Sequence, residues 1–206
     1  MTDIVIIGAG GFGRETALMV DQMQSWNLLG FYDDGMKPGS KVANREVLGD
    51  IKALNEITHK LAVVIAIADP IARQRVAGAL TNKALSFPTL RHPAALMGQS
   101  TNQMGKGCIV TAGVILTTEI WLGDFVIVNL ATTIGHDVHI GDFTSIMPQC
   151  SISGNVKIGK RCFVGSGSRI LQGVTLGNDS IVGAGAVVTK SFGDNSKLMG
   201  VPAINK

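Results

Sequence analysis

Residues 134–146 read IGHDVHIGDFTSI, and the aliphatic residue that opens this stretch returns at every sixth position. Counting outward from it gives Leu116, Leu122, Val128, Ile134, Ile140, Ile146, Ile152, Ile158, Val164, Ile170, Leu176, Val182 and Val188, thirteen positions without an exception. Leu, Ile and Val make up roughly a quarter of the chain, so chance produces such a run with a probability on the order of one in ten million. The period is therefore a structural instruction. A repeat of six fits neither the 3.6-residue helix nor the two-residue alternation of a hairpin array. The residue after the aliphatic one is often glycine (Gly123, Gly135, Gly141, Gly159, Gly165, Gly177, Gly183). Four residues after it comes a small or β-branched side chain, such as Thr132, Val138, Thr144, Cys150, Val156, Cys162 and Ser168. These features describe a parallel β-helix. Each hexad forms one short flat face, three hexads close an 18-residue coil, and aliphatic and small side chains stack inward on their equivalents in adjacent coils. Residues 116–188 make about four coils, and glycine or another permissive residue is expected to take the corner, where the chain can call for a positive φ. Before Leu116 the phase blurs. Met104 and Val110 fit one register, Met97, Ile109 and Ile115 another, so a less regular first coil begins near His92-Pro93.

The first half has a different grain. Residues 3–7 form a short β-rich run, followed by GAGGFGRE and a helix candidate to about Met23. A second strand is expected over 28–33, a weaker helix over 51–58, a third and wholly apolar strand over 61–68, and a helix over 71–80. Strands alternating with helices imply parallel pairing, and continuous apolar strands imply a sheet covered on both faces. The fold class is thus an α/β Rossmann-like domain over residues 1–88 followed by a β-helix over 89–206, with the change of pattern at Phe87-Pro88. About 85 residues are too few for a complete dinucleotide fold.

Bulk properties exclude several classes. The chain has 206 residues, 46% hydrophobic and 16% charged, and a net charge of +3 without long like-charge runs. That argues against a nucleic-acid partner held by phosphate neutralisation and leaves room for a small anionic ligand. The longest apolar stretches fall far short of the roughly 20 residues that span a bilayer, so no membrane insertion is expected. No basic, apolar and cleavable leader is apparent at MTDIVIIGAG. Cys108, Cys150 and Cys162 form neither a disulfide framework nor a metal-ligand spacing. A cytoplasmic protein without a metal is the plain reading.

The combination of GAGGFGRE, the YDD at residues 32–34, an HP-x-A start at residues 92–95, IGHDVHIG, SGNVKIG and GVPA at residues 200–203 resembles the hexapeptide-repeat sugar O/N-acetyltransferases. That family includes bacterial sialic-acid O-acetyltransferases and UDP-4-amino-sugar N-acetyltransferases. The resemblance implies a left-handed β-helix, acetyl transfer from acetyl-CoA to a sugar or nucleotide sugar in surface-glycan biosynthesis, and a homotrimer with the coenzyme in a groove between neighbouring prisms. A single narrow prism offers no concavity large enough for the coenzyme, which makes an inter-prism groove physically reasonable.

Residue by residue, alternation from Ile134 turns His136 outward, where it is either a surface imidazole or available for chemistry. The resemblance makes it the general base, a role suited to a group that titrates near neutral pH. Asp137 matches an acidic position that raises the basicity of that histidine. Adjacent strand residues face opposite ways, so the pair works only if the chain bends there. Otherwise Asp137 caps a corner, and Asp142 or a carboxylate of another chain orients the ring. His139 reads as surface near the next corner. Asn129 is expected at a hexad corner near the edge that carries His136, tolerating left-handed geometry, and the resemblance puts it near the acceptor. Cysteine catalysis is not expected from the three thiols, since all fall in the inward slot.

Gly8 to Gly13 satisfies G-x-G-x-x-G between a strand and a helix, with Asp33 about 20 residues on. Alone, this motif supports an NAD-linked oxidoreductase or a nucleotide-sensing module with a non-catalytic β-helix for assembly. The resemblance instead assigns Gly10, Gly11, Phe12, Asp33, Asp34 and Ala68 to the nucleotide sugar, with phosphates on backbone amides and carboxylates on ribose or base. Phe12 and Ser145 stand where family members often carry histidine. The resemblance places Ser145, Ser166, Ala184 and Lys190 along acetyl-CoA. Lys157, Lys160, Arg161 and Arg169 add a basic bias suited to coenzyme phosphates, although each also reads as a solvated surface residue.

Overall fold

The computed structural model describes residues 1–98 and 101–206, which divide into two compact units, Met1–Pro88 and Thr89–Lys206. The first contains a six-stranded sheet in the order β3-β4-β2-β1-β5-β6. Its strands are β1 (Thr2–Ile7), β2 (Trp26–Tyr32), β3 (Lys41–Val42), β4 (Arg45–Gly49), β5 (Leu61–Ile65) and β6 (Leu85–Ser86). Helix α1 (Gly11–Met23) follows β1 and helix α2 (Pro70–Ala79) follows β5, with a 3-10 turn at Ile51–Glu56. β1 pairs in parallel with β2 on one side and β5 on the other. Ile4 to Ile7 and Val63 to Ile65 are essentially inaccessible, as both-face coverage requires. The β3–β4 hairpin and β6 extend the sheet beyond the three expected strands. Their runs are too short and too polar to register as strands in the sequence.

The connections at the C-terminal ends of these strands are tied down one by one. Gly8 takes φ +97°, and a Cβ on Gly13 would stand 1.9 Å from the Gly8 carbonyl oxygen, so α1 can start against the strand only with glycine there. Asp69 caps α2 by accepting from the Ala72 amide at 2.7 Å, and Pro70 occupies the first turn, one residue earlier than expected. The guanidinium of Arg73 is fully buried and donates to the Ile67 carbonyl at 2.5 Å and the Ala68 carbonyl at 3.2 Å. Replacing it with Met leaves buried carbonyls without that donor, at about 1–3 kcal/mol per orphaned group. Arg73→Met is therefore expected to lower the Tm by several degrees in thermal unfolding, and an unchanged Tm would show the contacts to be dispensable.

The second unit is a left-handed parallel β-helix built from three sheets of two-residue strands, the equivalent residues of successive coils lying 18 apart. All thirteen aliphatic positions are buried, the most accessible being Ile158 at 4%. The small residues four places later are buried as well. Inward threonines satisfy themselves against the backbone, as when Thr144 donates to the Gly159 carbonyl at 2.8 Å and accepts from the Cys162 amide at 3.0 Å. The first strand starts at Leu90, slightly before the expected His92. Met97 and Met104 pair with Leu116 and Leu122, so the blurred phase is a seven-residue step between two inward positions. That step contains residues 99 and 100, which lie outside the described residues.

The corners depart from expectation. Every sixth residue from Gly107 through Gly185 has a positive φ, between 54° and 75°, and most of these are not glycine: Glu119, Phe125, Ala131, Asp137, Phe143, Gln149, Asn155, Arg161 and Asp179. This residue lies three places after the aliphatic one. The glycines directly after the aliphatic residue have ordinary φ, and their role is close approach. A Cβ at Gly135, Gly141, Gly159 or Gly165 would lie 2.6–2.8 Å from backbone atoms of the next coil. Coils stacked about 4.8 Å apart leave no room for a side chain at that slot.

Candidate active site

Three hexads per coil give the prism three edges, and the site residues sort by edge. His136 and Asp137 form the corner between the strands Thr133–Ile134 and His139–Ile140. Asp137 has φ +58°, and this left-handed turn breaks the alternation that would have separated the two side chains. His136 Nδ1 and Asp137 Oδ2 meet at 2.7 Å, with the side chains 55% and 59% exposed. A carboxylate on Nδ1 holds the proton there and leaves Nε2 as the acceptor. The corner is fixed from both sides, since the Asp137 amide donates to the Thr118 carbonyl at 3.2 Å and the Asn155 amide to the His136 carbonyl at 2.8 Å.

Gly154, one coil beyond His136, completes this corner. A Cβ there would lie 2.4 Å from Nε2, 2.6 Å from Cε1 and 2.9 Å from Cδ2, so the imidazole is seated on the glycine. Gly154 was not singled out in the sequence. The signal is arithmetic, since 154 is 136 plus one 18-residue coil.

Asp142 does not orient the ring. It stands on another edge, where it accepts from the Asp124 amide at 3.0 Å and pairs with Lys160 at 2.8 Å. Burial pushes its carboxyl up, but Lys160 and the Asp124 amide more than offset this and hold it below the usual range. On the same edge Arg161 makes a bidentate pair with Asp179 at 2.6 Å, which lowers the Asp179 carboxyl. Two of the five basic residues expected to face coenzyme phosphates are thus engaged in structural pairs. Lys157 and Arg169 lie on the outer faces of two different sheets. Lys190 lies on the edge of His136, three coils away, with its ammonium 5.7 Å from the Phe192 ring.

Asn129 also departs from expectation. It is 5% exposed and follows Val128 directly, in the slot of the close-approach glycines, while Ala131 takes the left-handed corner. Its Oδ1 accepts from the Leu130 amide at 2.7 Å. It belongs to a different edge from His136, one hexad back around the prism. Ser166 and Ala184 are exposed corners on that same edge as Asn129, stacked through the Gly185 amide and the Ser166 carbonyl at 2.9 Å. Beside them a Cβ on Gly167 or Gly185 would meet nothing within 4 Å, which leaves an open rail of backbone. Ser145 is fully buried in the strand Ser145–Ile146. His139 is exposed, its ring 6.2 Å from that of Trp121 on the outer face of the third sheet.

In the first unit, Gly10 and Gly11 are exposed, and a Cβ on either meets nothing within 4 Å, so the loop is open to a ligand. Phe12 is half-buried at the start of α1. Asp33 accepts from the Ala9 amide through Oδ2 and from the Gly35 amide through Oδ1, both at 2.8 Å. Asp34 accepts from the Ile51 amide at 2.9 Å. Both carboxylates hold the loops around the glycine motif. Ala68 joins them through the Arg73 contact described above.

The three cysteines are buried in the prism core. Burial pushes the Cys162 thiol up to about 11 and raises Cys150 as well. A thiol in that state is a poor nucleophile. A disulfide reagent at pH 8 is expected to titrate no thiol in the folded protein and three after denaturation; fast reaction of the native protein would reopen thiol chemistry. Among the described residues no cluster of His, Cys, Asp and Glu is placed to hold a metal ion, and no helix is long and apolar enough to cross a membrane.

Comparison with known proteins gives this geometry a family. Residues 3–80 match the PglD N-terminal domain, residues 137–172 the bacterial transferase hexapeptide with six repeats, and residues 155–190 the hexapeptide repeat of succinyl-transferase. The chain is 34% identical over 136 residues to GDP-perosamine N-acetyltransferase of Escherichia coli O157:H7, a match spanning 64% of this chain and 61% of that protein. A mutant of the perosamine N-acetyltransferase from Caulobacter crescentus, solved with CoA and GDP-perosamine, superposes with a TM-score of 0.92 at 30% identity, covering 100% of this chain and 97% of that one. The acetyltransferase domain of PglB from Neisseria gonorrhoeae FA1090, solved with acetyl coenzyme A, gives 0.93 at 29% identity over 99% and 98% of the two chains. With both units matched along their length, the chain belongs to the hexapeptide-repeat sugar O/N-acetyltransferase family.

Proposed function

We propose that the protein transfers the acetyl group of acetyl-CoA directly to an amino or hydroxyl group of a sugar, carried as a nucleotide sugar, for surface-glycan biosynthesis in the cytoplasm. The observation that carries this reading is the His136–Asp137 pair on an exposed corner, with Nδ1 held at 2.7 Å and Nε2 left to accept a proton. His136 takes the proton from the attacking nitrogen or oxygen as the new bond to the thioester carbonyl forms. A backbone N–H stabilises the oxyanion of the tetrahedral intermediate. As the carbon–sulfur bond breaks, the imidazolium returns its proton to the departing thiolate. Asp137 keeps the ring in one tautomer and stabilises its charged form.

The open loop at Gly10 and Gly11 suits the diphosphate of the nucleotide, and Asp33, Asp34 and Ala68 shape that loop. Phe12 borders it. On the β-helix, the rail at Ser166 and Ala184 suits an extended pantetheine arm. Asn129 and Ser145, both buried, support this neighbourhood from within rather than by direct contact, and Lys190 is available to a phosphate. None of the relatives named above is an oxidoreductase.

The rail and His136 occupy different edges of one prism, so a site that uses both takes its edges from two copies. This supports a homotrimer, in which each of three grooves gains one edge from each neighbour. A thiol-release assay with acetyl-CoA over GDP-perosamine, UDP-4-amino-sugars and free sialic acid tests the activity; turnover with none of them sinks the reading. For the assembly, an inactive His136→Ala chain mixed and refolded with an inactive Ser166→Trp chain is expected to regain activity, because some grooves then contain both intact edges. No recovery on mixing would argue for sites within single chains.

A further inference from the structure

An open concavity of about 290 Å³ lies on the outer face of the third sheet, beside Asp137 and apart from the Ser166 rail. It falls just below the ~300–1,000 Å³ that take drug-sized ligands, so it accommodates one ring rather than a coenzyme. Its lining is unusual for a β-helix face. Trp121 is 39% exposed, with its indole tilted against His139, and around it stand Glu119, Asp137, Gln103 and Thr101. Glu119 holds the same corner as Asp137 one coil earlier, also with a left-handed backbone at φ +54°. Their backbones therefore sit one above the other, about 4.8 Å apart along the stack, and both residues line the concavity. Among the described residues lining the concavity there is no Lys or Arg; Lys157 lies one further rung along the same face, beyond His139.

An exposed aromatic face, flanked by two acids and an amide and without Lys or Arg in its lining, has the chemistry that recognises a pyranose. The indole covers the C–H face of the ring, and carboxylates and amides accept from hydroxyl or ammonium groups. We propose that this concavity is the acceptor-ring subsite, with Trp121 as its platform and Glu119 as the group that favours neutral and amino sugars over carboxylated ones. The inference rests on the reading of His136 as the base, since Asp137 belongs both to the concavity and to the His136 pair. A ring stacked on Trp121 presents its substituent toward that corner, while a sugar acid would bring its carboxylate against Glu119 and Asp137 with no Lys or Arg in the lining to receive it.

Two measurements test this. In a Trp26→Phe background Trp121 is the one remaining indole, and its fluorescence is titrated with GDP-perosamine and UDP-4-amino-sugars and, in parallel, with GDP and UDP. A saturable change with the sugar-bearing compounds and none with the bare nucleotides is the expected result. In kinetics, Trp121→Ala is expected to raise the acceptor KM about tenfold with the acetyl-CoA KM unchanged, and Trp121→Phe to recover most of the loss. Glu119→Gln is expected to narrow the preference for amino sugar over free sialic acid by about tenfold. An unchanged acceptor KM in Trp121→Ala, equal rises in both KM values, or an unaltered preference in Glu119→Gln overturns the subsite. Full activity of His136→Ala would instead remove the base, and the fluorescence titration would still decide the subsite on its own.

Discussion

Replacing His136 with Ala is expected to lower kcat for acetyl transfer by ~10²–10⁴, the usual worth of a positioned general base. The KM values for both substrates are expected to stay within about threefold. The split follows from geometry. The imidazole is more than half exposed and anchors no other part of the coil through its ring, so its removal takes away a proton acceptor and little else. The backbone contacts of the corner, from Thr118 through Asn155, survive the change, and the Tm is expected to be unaltered. Asp137→Asn is the finer probe. The carboxamide still reaches Nδ1 but no longer enforces the tautomer or balances the charge of the imidazolium. Because this pair is more than half exposed, a drop of at least about tenfold in kcat is expected, short of the ~10⁴ the same change causes in a buried triad, with KM again steady. Steady-state thiol release on purified variants, alongside thermal unfolding, reads both. A His136→Ala enzyme within threefold of the parent kcat would eliminate this base, and the pair would then be a surface feature of the corner.

Much of this was open to reading in the sequence, and what was missed has definable physical causes. The hexad places inward residues because burial of an aliphatic side chain contributes roughly 1.5–3 kcal/mol, and the prism offers one such position every six residues. Ile134, Ile140 and Ile146 follow that rule and are buried. The glycine after Ile134 and after Ile140 has two physical explanations, a positive φ or a close approach, and a sequence alone does not separate them. The Cβ clash at Gly141 and the left-handed backbone at Phe143 do. Edges failed for a different reason. Counting by six assigns Asn129 and His136 to similar places, whereas only a difference of 18 keeps a residue on the same edge. Counting by 18 from His136 reaches Gly154 and then Gln172 and Lys190. In the first unit, α1, α2 and the apolar strands were legible, although the helix expected over 51–58 is a 3-10 turn at Ile51–Glu56 and the strand expected over 61–68 ends at Ile65. The strand Arg45–Gly49 was not, because it is short, opens on two charged residues and ends on glycine, and so shows no alternation. Arg73 escaped notice because a lone arginine in a helix ordinarily reads as solvated, and burial is a property of the tertiary structure.

Gly154→Ala carries the second large effect, and it isolates position from chemistry. The φ at Gly154 is not in the left-handed region, so the backbone accepts alanine without strain of its own. The obstacle is the imidazole of His136. A methyl group 2.4 Å from Nε2 and 2.6 Å from Cε1 cannot coexist with the ring in its present place, since carbon contacts below 3.0 Å essentially do not occur. The coil is close-packed and the imidazole is half in solvent, so the side chain gives way and not the backbone. The ring then swings off its seat, Nε2 moves by an ångström or more, and the 2.7 Å contact with Asp137 is lost or remade elsewhere. A misplacement of that size costs on the order of 10²-fold in rate. The expected result is thus a kcat reduced by about 10- to 100-fold, with far-UV circular dichroism unchanged and the Tm within a few degrees of the parent. The decisive comparison is the double variant. If Gly154 acts through the position of His136, adding Gly154→Ala to His136→Ala leaves the residual rate where it was, because there is no ring left to displace. A further drop of the same size in the double variant would mean that the methyl group disturbs something other than the base, such as the path of the acceptor, and Gly154 would no longer be its seat.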